Sequence, residues 1–312
     1  MTTPVPDVEA LSQALANDGL RVVGQLLDAS NVAFFGWAGQ IPVVYKPVRG
    51  ERPLWDFPTG CLAHRERASY LLDAAAGFGV VPPTVLHDGP AGPGSVQAWV
   101  TDPDDLIPDD SDDDELDGDV EDDGGLDAEA EEGEDDEDEM AQYDTAESPD
   151  DADGPMFLLL PPDEVAPPWL PVFTGELPDG RPVVLAHADT AELRSVAVLD
   201  AVLNNSDRKG SHLLRDPRGH LWGIDHGVSL HESPKLRTVL WGWAGETIAT
   251  HDLDRLGRLR DALATDPLRA DLDELLTTVE IAALTARVSE LLSAGRHPLP
   301  TPGWPSVPWP AL

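Results

Sequence analysis

Five residues of this chain have the types and the order that move a phosphoryl group: Lys46, Glu66, Asp207, His212 and Asp225. That chemistry needs a cation on the phosphates of a nucleotide and a carboxylate to hold the cation. It also needs a second carboxylate near the incoming hydroxyl, and ligands for a divalent metal. Lys46 ends the apolar run VVYKP and is the candidate cation. Taken alone, a lysine there is more often a solvated group on a strand edge. Glu66, in AHRERASYLL, lies on the following helix, placed to pair with Lys46. Asp207, in LNNSDRKGSHLL, is the candidate base, and the residue five positions on, where a metal ligand belongs, is His212. Asp225, in WGIDHG, follows a short apolar strand and stands two residues before Gly227, a setting suited to a metal-binding carboxylate. A turn cap is the bland alternative for either aspartate; together, 18 residues apart across a hairpin, they favour the catalytic reading.

The elements that must hold these groups can be read from periodicity. Residues 8–28 predict a helix and its exit toward a strand, and 31–46 a β-hairpin ending at Lys46. Residues 61–76 have helical spacing and stop at Gly77 and Gly79. VVPPTVLHD reads as a strand broken by prolines, and GSVQAWV as another. Residues 189–203 predict an amphipathic helix, 212–215 and 221–225 two short strands, and 251–293 two or three helices. Residues 297–312 form a Pro- and Trp-rich extended tail. The run GERPLWDFPTG, with Arg49, Glu51, Arg52, Trp55 and Asp56, reads equally as a flap beside Lys46 or as a packed loop. Cys61 reads as a small packing residue, Trp241 and Trp243 as core or as residues of a substrate groove, and the scattered His87, His187, His220 and His231 lack a zinc spacing.

Charge divides the chain. The net charge is -39, and 29 of the 59 acidic residues fall between Asp102 and Asp153. No Lys or Arg occurs between Arg67 and Arg181. Residues 101–153 hold too little apolar surface to fold and predict a disordered acidic insert, which could contact a basic protein partner. Without a basic footprint, nucleic-acid binding is not expected. One cysteine, no apolar leader and no run of membrane-spanning length together predict a cytoplasmic protein with no transmembrane segment. Only three of the 20 basic residues are lysines, Lys46, Lys209 and Lys235, and two of them fall inside these motifs.

The same segments carry a resemblance. Residues 30–47 and 96–99 are similar to the small lobe and hinge of type II phosphatidylinositol 4-kinases. NNSDRKGSHLL and GIDHG resemble the catalytic and metal-binding motifs of phosphatidylinositol 3- and 4-kinases and of HipA-like bacterial kinases. VYKPVRGERPLWDFPTG, VVPPTVL, DGPAGPGSVQAWV and KLRTVLWGWAGE look like an actinobacterial family of kinase-like proteins, across most of the chain. The resemblance implies an α+β, two-lobed protein-kinase-like fold. Residues 1–100 would be the β-rich small lobe, 154–296 a mostly helical large lobe, and 297–312 the tail. It implies ATP and Mg²⁺ or Mn²⁺ as cofactors, and a phosphoryl acceptor that is a lipid, protein or small molecule. Ser30, Asn31 and Lys46 would bind phosphates, and Gln97, Ala98 and Trp99 adenine. Glu66 would orient Lys46, Asp207 would be the base, and Asp225 and His212 would hold metal. Because His212 replaces the family's Asn, a nucleotide-binding pseudokinase or scaffold is the alternative.

Overall fold

The computed structural model describes residues 5–26, 31–57, 60–103 and 154–312. Ser30 and the acidic insert from residue 104 to 153 lie outside the described residues, so the expectations attached to them stay with the sequence. The described chain is an α+β protein with antiparallel sheets and six α-helices.

The first part is built on a five-stranded antiparallel sheet. Helix α1 (Val8–Asp18) is capped by Asp7, whose carboxylate accepts from Ala10 N at 2.8 Å. Gly19, at φ +71°, reverses the chain into β1 (Leu20–Leu26). β2 (Ala33–Ala38) and β3 (Ile41–Pro47) form the expected hairpin, with Phe34 opposite Tyr45. α2 (Leu62–Ala76) follows, then β4 (Thr84–Gly89) and β5 (Gly92–Ala98). The sheet order is β1-β2-β3-β5-β4. The two-residue period of β3 positions the site. Val43 and Tyr45 are fully buried against Leu11, Leu15 and Val96, so Val44 and Lys46 face the other side of the sheet.

The second part begins with a sheet that sequence periodicity did not reveal. β6 (Phe157–Leu160), β7 (Trp169–Glu176) and β8 (Pro182–Ala188) pair in the order β6-β8-β7. β6 pairs with a strand 24 to 30 residues further on, from Leu160 opposite Val184 to Phe157 opposite His187, and the register of β7 shifts between Pro171 and Phe173. A bulge breaks the alternation that marks a strand. The expectation of a mostly helical second half is corrected to that extent. α3 (Ala191–Leu203) is buried along nearly its whole length, with the side chain of Thr190 capping it. Its interior neighbours include Trp243, Leu256, Leu259, Ile281, Leu284 and Val288, one continuous core. The hairpin β9 (Leu213–Arg215) and β10 (Leu221–Gly223) follows, then α4 (Thr250–Leu263), α5 (Leu268–Leu275) and α6 (Thr278–Ala294). Trp243 is fully buried with its Nε1 on Asp189, which settles it as core. α2 is packed from both parts: it touches β4 and β5 on one side and α4 and α5 on the other. Among the described residues no helix is long and apolar enough to cross a membrane.

Candidate functional site

Three of the predicted residues meet at one point. Lys46 Nζ, on β3, lies 2.7 Å from Glu66 Oε1 on α2 and 2.9 Å from Asp225 Oδ1 just beyond β10. Glu66 is buried, and its second oxygen accepts from the backbone N–H of His226 at 3.2 Å. One carboxylate thereby ties the lysine of the first part to the turn that carries Asp225 in the second. Burial works against the charge of Lys46, but Asp225 and Glu66 outweigh it and raise its pKa above the ordinary lysine value. Lys46 in turn holds the Asp225 carboxyl well below the usual range, against the opposing effect of burial. Asp225 has φ +60°, an uncommon conformation for a residue with a Cβ. The turn holds because its neighbours are pinned: Ile224 N donates to His212 O at 2.9 Å, and His226 N to Glu66.

Asp207 lies on the loop after α3, whose shape is set by the fully buried Asp200. Its carboxylate accepts from Asn205 Nδ2 at 3.0 Å and from Arg208 Nε and Nη2 at 3.0 Å each. Arg208, also fully buried, continues to Ile224 O at 3.0 Å and His226 Nε2 at 2.7 Å. A guanidinium can only donate, so His226 Nε2 accepts and the ring is neutral. Burial, with Arg208 beside it, lowers its pKa far below the ordinary value. Arg208 is therefore the strut between the Asp207 loop and the Asp225 turn. Asp207 itself pairs with Lys209 Nζ at 3.2 Å. Burial raises its pKa, and Lys209 opposes the rise. His212 Nε2 is 3.5 Å from Asp225 Oδ2, and burial pushes its pKa down to about 4, leaving a neutral imidazole at pH 7.

These groups line one cleft of about 520 Å³ between the two parts of the fold. Every predicted site residue that is described lines it: Asn31, Lys46, Glu66, Gln97, Ala98, Trp99, Asp207, His212 and Asp225. Asn31 and Gln97 are also engaged. Asn31 Oδ1 accepts from Arg52 N at 2.8 Å, and Gln97 Nε2 donates to Thr84 Oγ1 at 2.8 Å. Ala98 N and Trp99 N donate to Pro83 O and Pro42 O, both at 2.9 Å, and the wall continues through Val100 and Thr101. Gln97 and Ala98 therefore offer a ligand mainly surface rather than free donors. Among the described residues no group of three or more His, Cys, Asp or Glu is placed to hold a metal. Asp225 and His212 stand as an adjacent pair, and two protein ligands suit an ion that takes its remaining ligands from phosphate and water.

The site also contains residues that sequence reasoning passed over or left undecided. Glu51 accepts from Ala63 N at 3.1 Å, serving as the cap that Cys61 does not give α2. Its other oxygen is buried at the cleft without a hydrogen-bond partner. Asp200 and Arg208 had no local signal beyond the position of Arg208 next to Asp207. Lys209 was noted for its rarity. The cleft lining thus carries four side-chain carboxylates, Glu51, Glu66, Asp207 and Asp225, against the two ammonium groups of Lys46 and Lys209. The rest of the GERPLWDFPTG run is anchored at one end: Asp56 pairs with Lys235 Nζ, which also lies 4.7 Å from the ring centres of Trp55 and Trp304, while Trp55 itself stays 87% exposed.

No family model matches the chain. It is 40% identical over 302 residues to Protein Rv2133c of Mycobacterium tuberculosis, an alignment covering 96% of this chain and 94% of that protein. Identity at that level over nearly both full lengths places the chain in the same family as Protein Rv2133c.

Proposed function

We propose that the chain is an ATP-dependent phosphotransferase with a two-lobed, protein-kinase-like fold. One observation carries the reading: Lys46 on β3, Glu66 on the next helix and Asp225 after the β9–β10 hairpin converge within 2.9 Å in a cleft that also holds Asp207. Residues 1–100 are then the small lobe and 154–296 the large one, with Gln97, Ala98 and Trp99 at the connection facing adenine. Lys46 binds the nucleotide phosphates, and Glu66 keeps its ammonium in place. Asp207 takes the proton of the acceptor hydroxyl as that oxygen bonds the γ-phosphorus and the bridging oxygen departs with ADP. Asp225 and His212 are the residues that would hold Mg²⁺ or Mn²⁺, which offsets phosphate charge when bound. The excess of carboxylates in the cleft lining supports that need, because a polyanion entering a net-negative site requires added cations. An imidazole in the pair favours Mn²⁺ over Mg²⁺.

His212 supports a second reading, a nucleotide-binding scaffold without efficient transfer. A thermal-shift screen of ATP, GTP and ADP with Mg²⁺ or Mn²⁺ tests both readings. Metal-dependent stabilisation by ATP is expected, lost in Asp225→Asn and kept in Asp207→Asn, while phosphoryl transfer is lost in both. Binding without detectable ATP turnover favours the scaffold. The absence of a nucleotide shift removes both readings.

A further inference from the structure

Segment 297–312 has no helix or strand, yet it is fastened at several points. Trp304 Nε1 donates to Lys235 O at 3.1 Å. Ser306 O accepts from Thr238 N at 3.0 Å and from Trp241 Nε1 at 2.7 Å. Ala311 O accepts from Gly210 N at 2.8 Å. Ala311 is buried and Val307 packs on the same core. A stretch without regular structure that pairs its carbonyls in this way is held by the loops it crosses. Those loops are the Asp207–Gly210 loop and the stretch from Lys235 to Trp241. The far end of the segment enters the cleft, where Pro310 and Leu312 join Asp207 and Lys209 in its lining.

We propose that Pro310–Leu312 forms the acceptor-side wall of the transfer site, with Leu312 as the side chain that limits what reaches Asp207. This rests on the phosphotransferase reading. Gly210 fixes the location, because a Cβ there would lie 2.6 Å from Leu312 Cδ2 and 3.2 Å from Phe157 Cδ2. The glycine lies three residues beyond Asp207 and one beyond Lys209, so the two apolar side chains close over the loop that carries the base. Neither can bind phosphate or move a proton. What apolar groups do at such a place is exclude water. Leu312 keeps 48% of its surface exposed, so its free side is available to an acceptor.

Water is the acceptor this wall must keep out. In hydrolysis the water oxygen bonds the γ-phosphorus, the bond to the β–γ bridging oxygen breaks, and Asp207 takes the proton, leaving ADP and inorganic phosphate. The test uses the full chain as wild type, Leu312→Ala, Leu312→Met and Gly210→Ala. ATP hydrolysis with Mn²⁺ is measured beside the melting-temperature shift given by ATP and Mn²⁺. Gly210 has no positive φ, so its alanine variant acts by pushing the flexible end of Leu312 aside. Hydrolysis should rise about threefold or more in Leu312→Ala and Gly210→Ala, a barrier change of roughly 0.7 kcal/mol. Leu312→Met should stay near wild type, and the ATP-induced shift should persist in all four. A merely structural segment would instead lower hydrolysis together with the melting temperature. If ATP stabilises the variants but Leu312→Ala and Gly210→Ala hydrolyse it no faster than wild type, the wall is wrong while nucleotide binding stands. If ATP shifts none of the proteins, the phosphotransferase reading and the wall fall together.

Discussion

Replacing Lys46 with Met removes the charge on which two carboxylates converge and keeps most of the side-chain length. Glu66 is then left with 4% of its side chain exposed and, among the described residues, the His226 N–H as its hydrogen-bond partner. Breaking a buried pair from one side costs about 3–5 kcal/mol. Here the lysine side chain is 25% exposed and that of Asp225 37%, so solvent softens the loss. About 2 kcal/mol of stability should disappear in Lys46→Met. In Lys46→Met/Glu66→Gln the stranded charge is gone while an amide oxygen still accepts from His226 N. The double variant should therefore regain about 1 kcal/mol relative to the sum of the single losses. Urea unfolding of the four proteins at pH 7 closes the cycle. Effects that add to within about 0.5 kcal/mol would refute the coupling and, with it, Glu66 as the residue that positions Lys46. On the phosphotransferase reading, ATP affinity of the same proteins should fall about 10- to 100-fold in Lys46→Met, the worth of one charged hydrogen bond.

Three other outcomes follow, the first from the proposed function and the other two from the geometry. His212→Asn should move metal preference from Mn²⁺ toward Mg²⁺ in an ATP-binding titration, because an amide oxygen is the harder donor; an unchanged preference would place His212 outside the metal's ligands. Asp73 is 2% exposed and accepts from Val80 N and Val81 N, yet burial dominates and raises its pKa to about 6. A raised folded pKa means its contribution is fully present below the unfolded value near 3.8 and is lost as pH rises through 6. Asp73→Asn should accordingly be more stable than wild type at pH 8 by about 1–3 kcal/mol and should level off near pH 4, as read from denaturant midpoints. Thr277→Ala should cost about 1 kcal/mol, since Thr277 and Glu280 form a reciprocal cap at the start of α6; an unchanged midpoint would show that the Arg65–Glu280 ion pair alone holds that end.

Local signals made much of this protein legible in its residues. The hairpin carrying Lys46 follows from alternation around Gly39, and the end of α2 from Gly77 at φ +78°. The 18-residue spacing of Asp207 and Asp225 spans a hairpin that the structure forms. Each of these depends on a few neighbouring residues, so a window of sequence contains its cause. The sheet of β6, β7 and β8 did not show, because its pairings are distant and its alternation is broken at Pro171. Nor could sequence show that Asp200 and Arg208 are both fully buried, one holding the other. A buried ion pair is defined by the absence of water around it, and that depends on everything packed against it. The same holds for Glu51, an ordinary loop acid in sequence and a helix cap at the cleft in three dimensions, and for Leu312, brought to Gly210 across more than 100 residues. The types of the chemical groups were fixed by the order of residues; the distances between them, and their exclusion from solvent, were decided by packing.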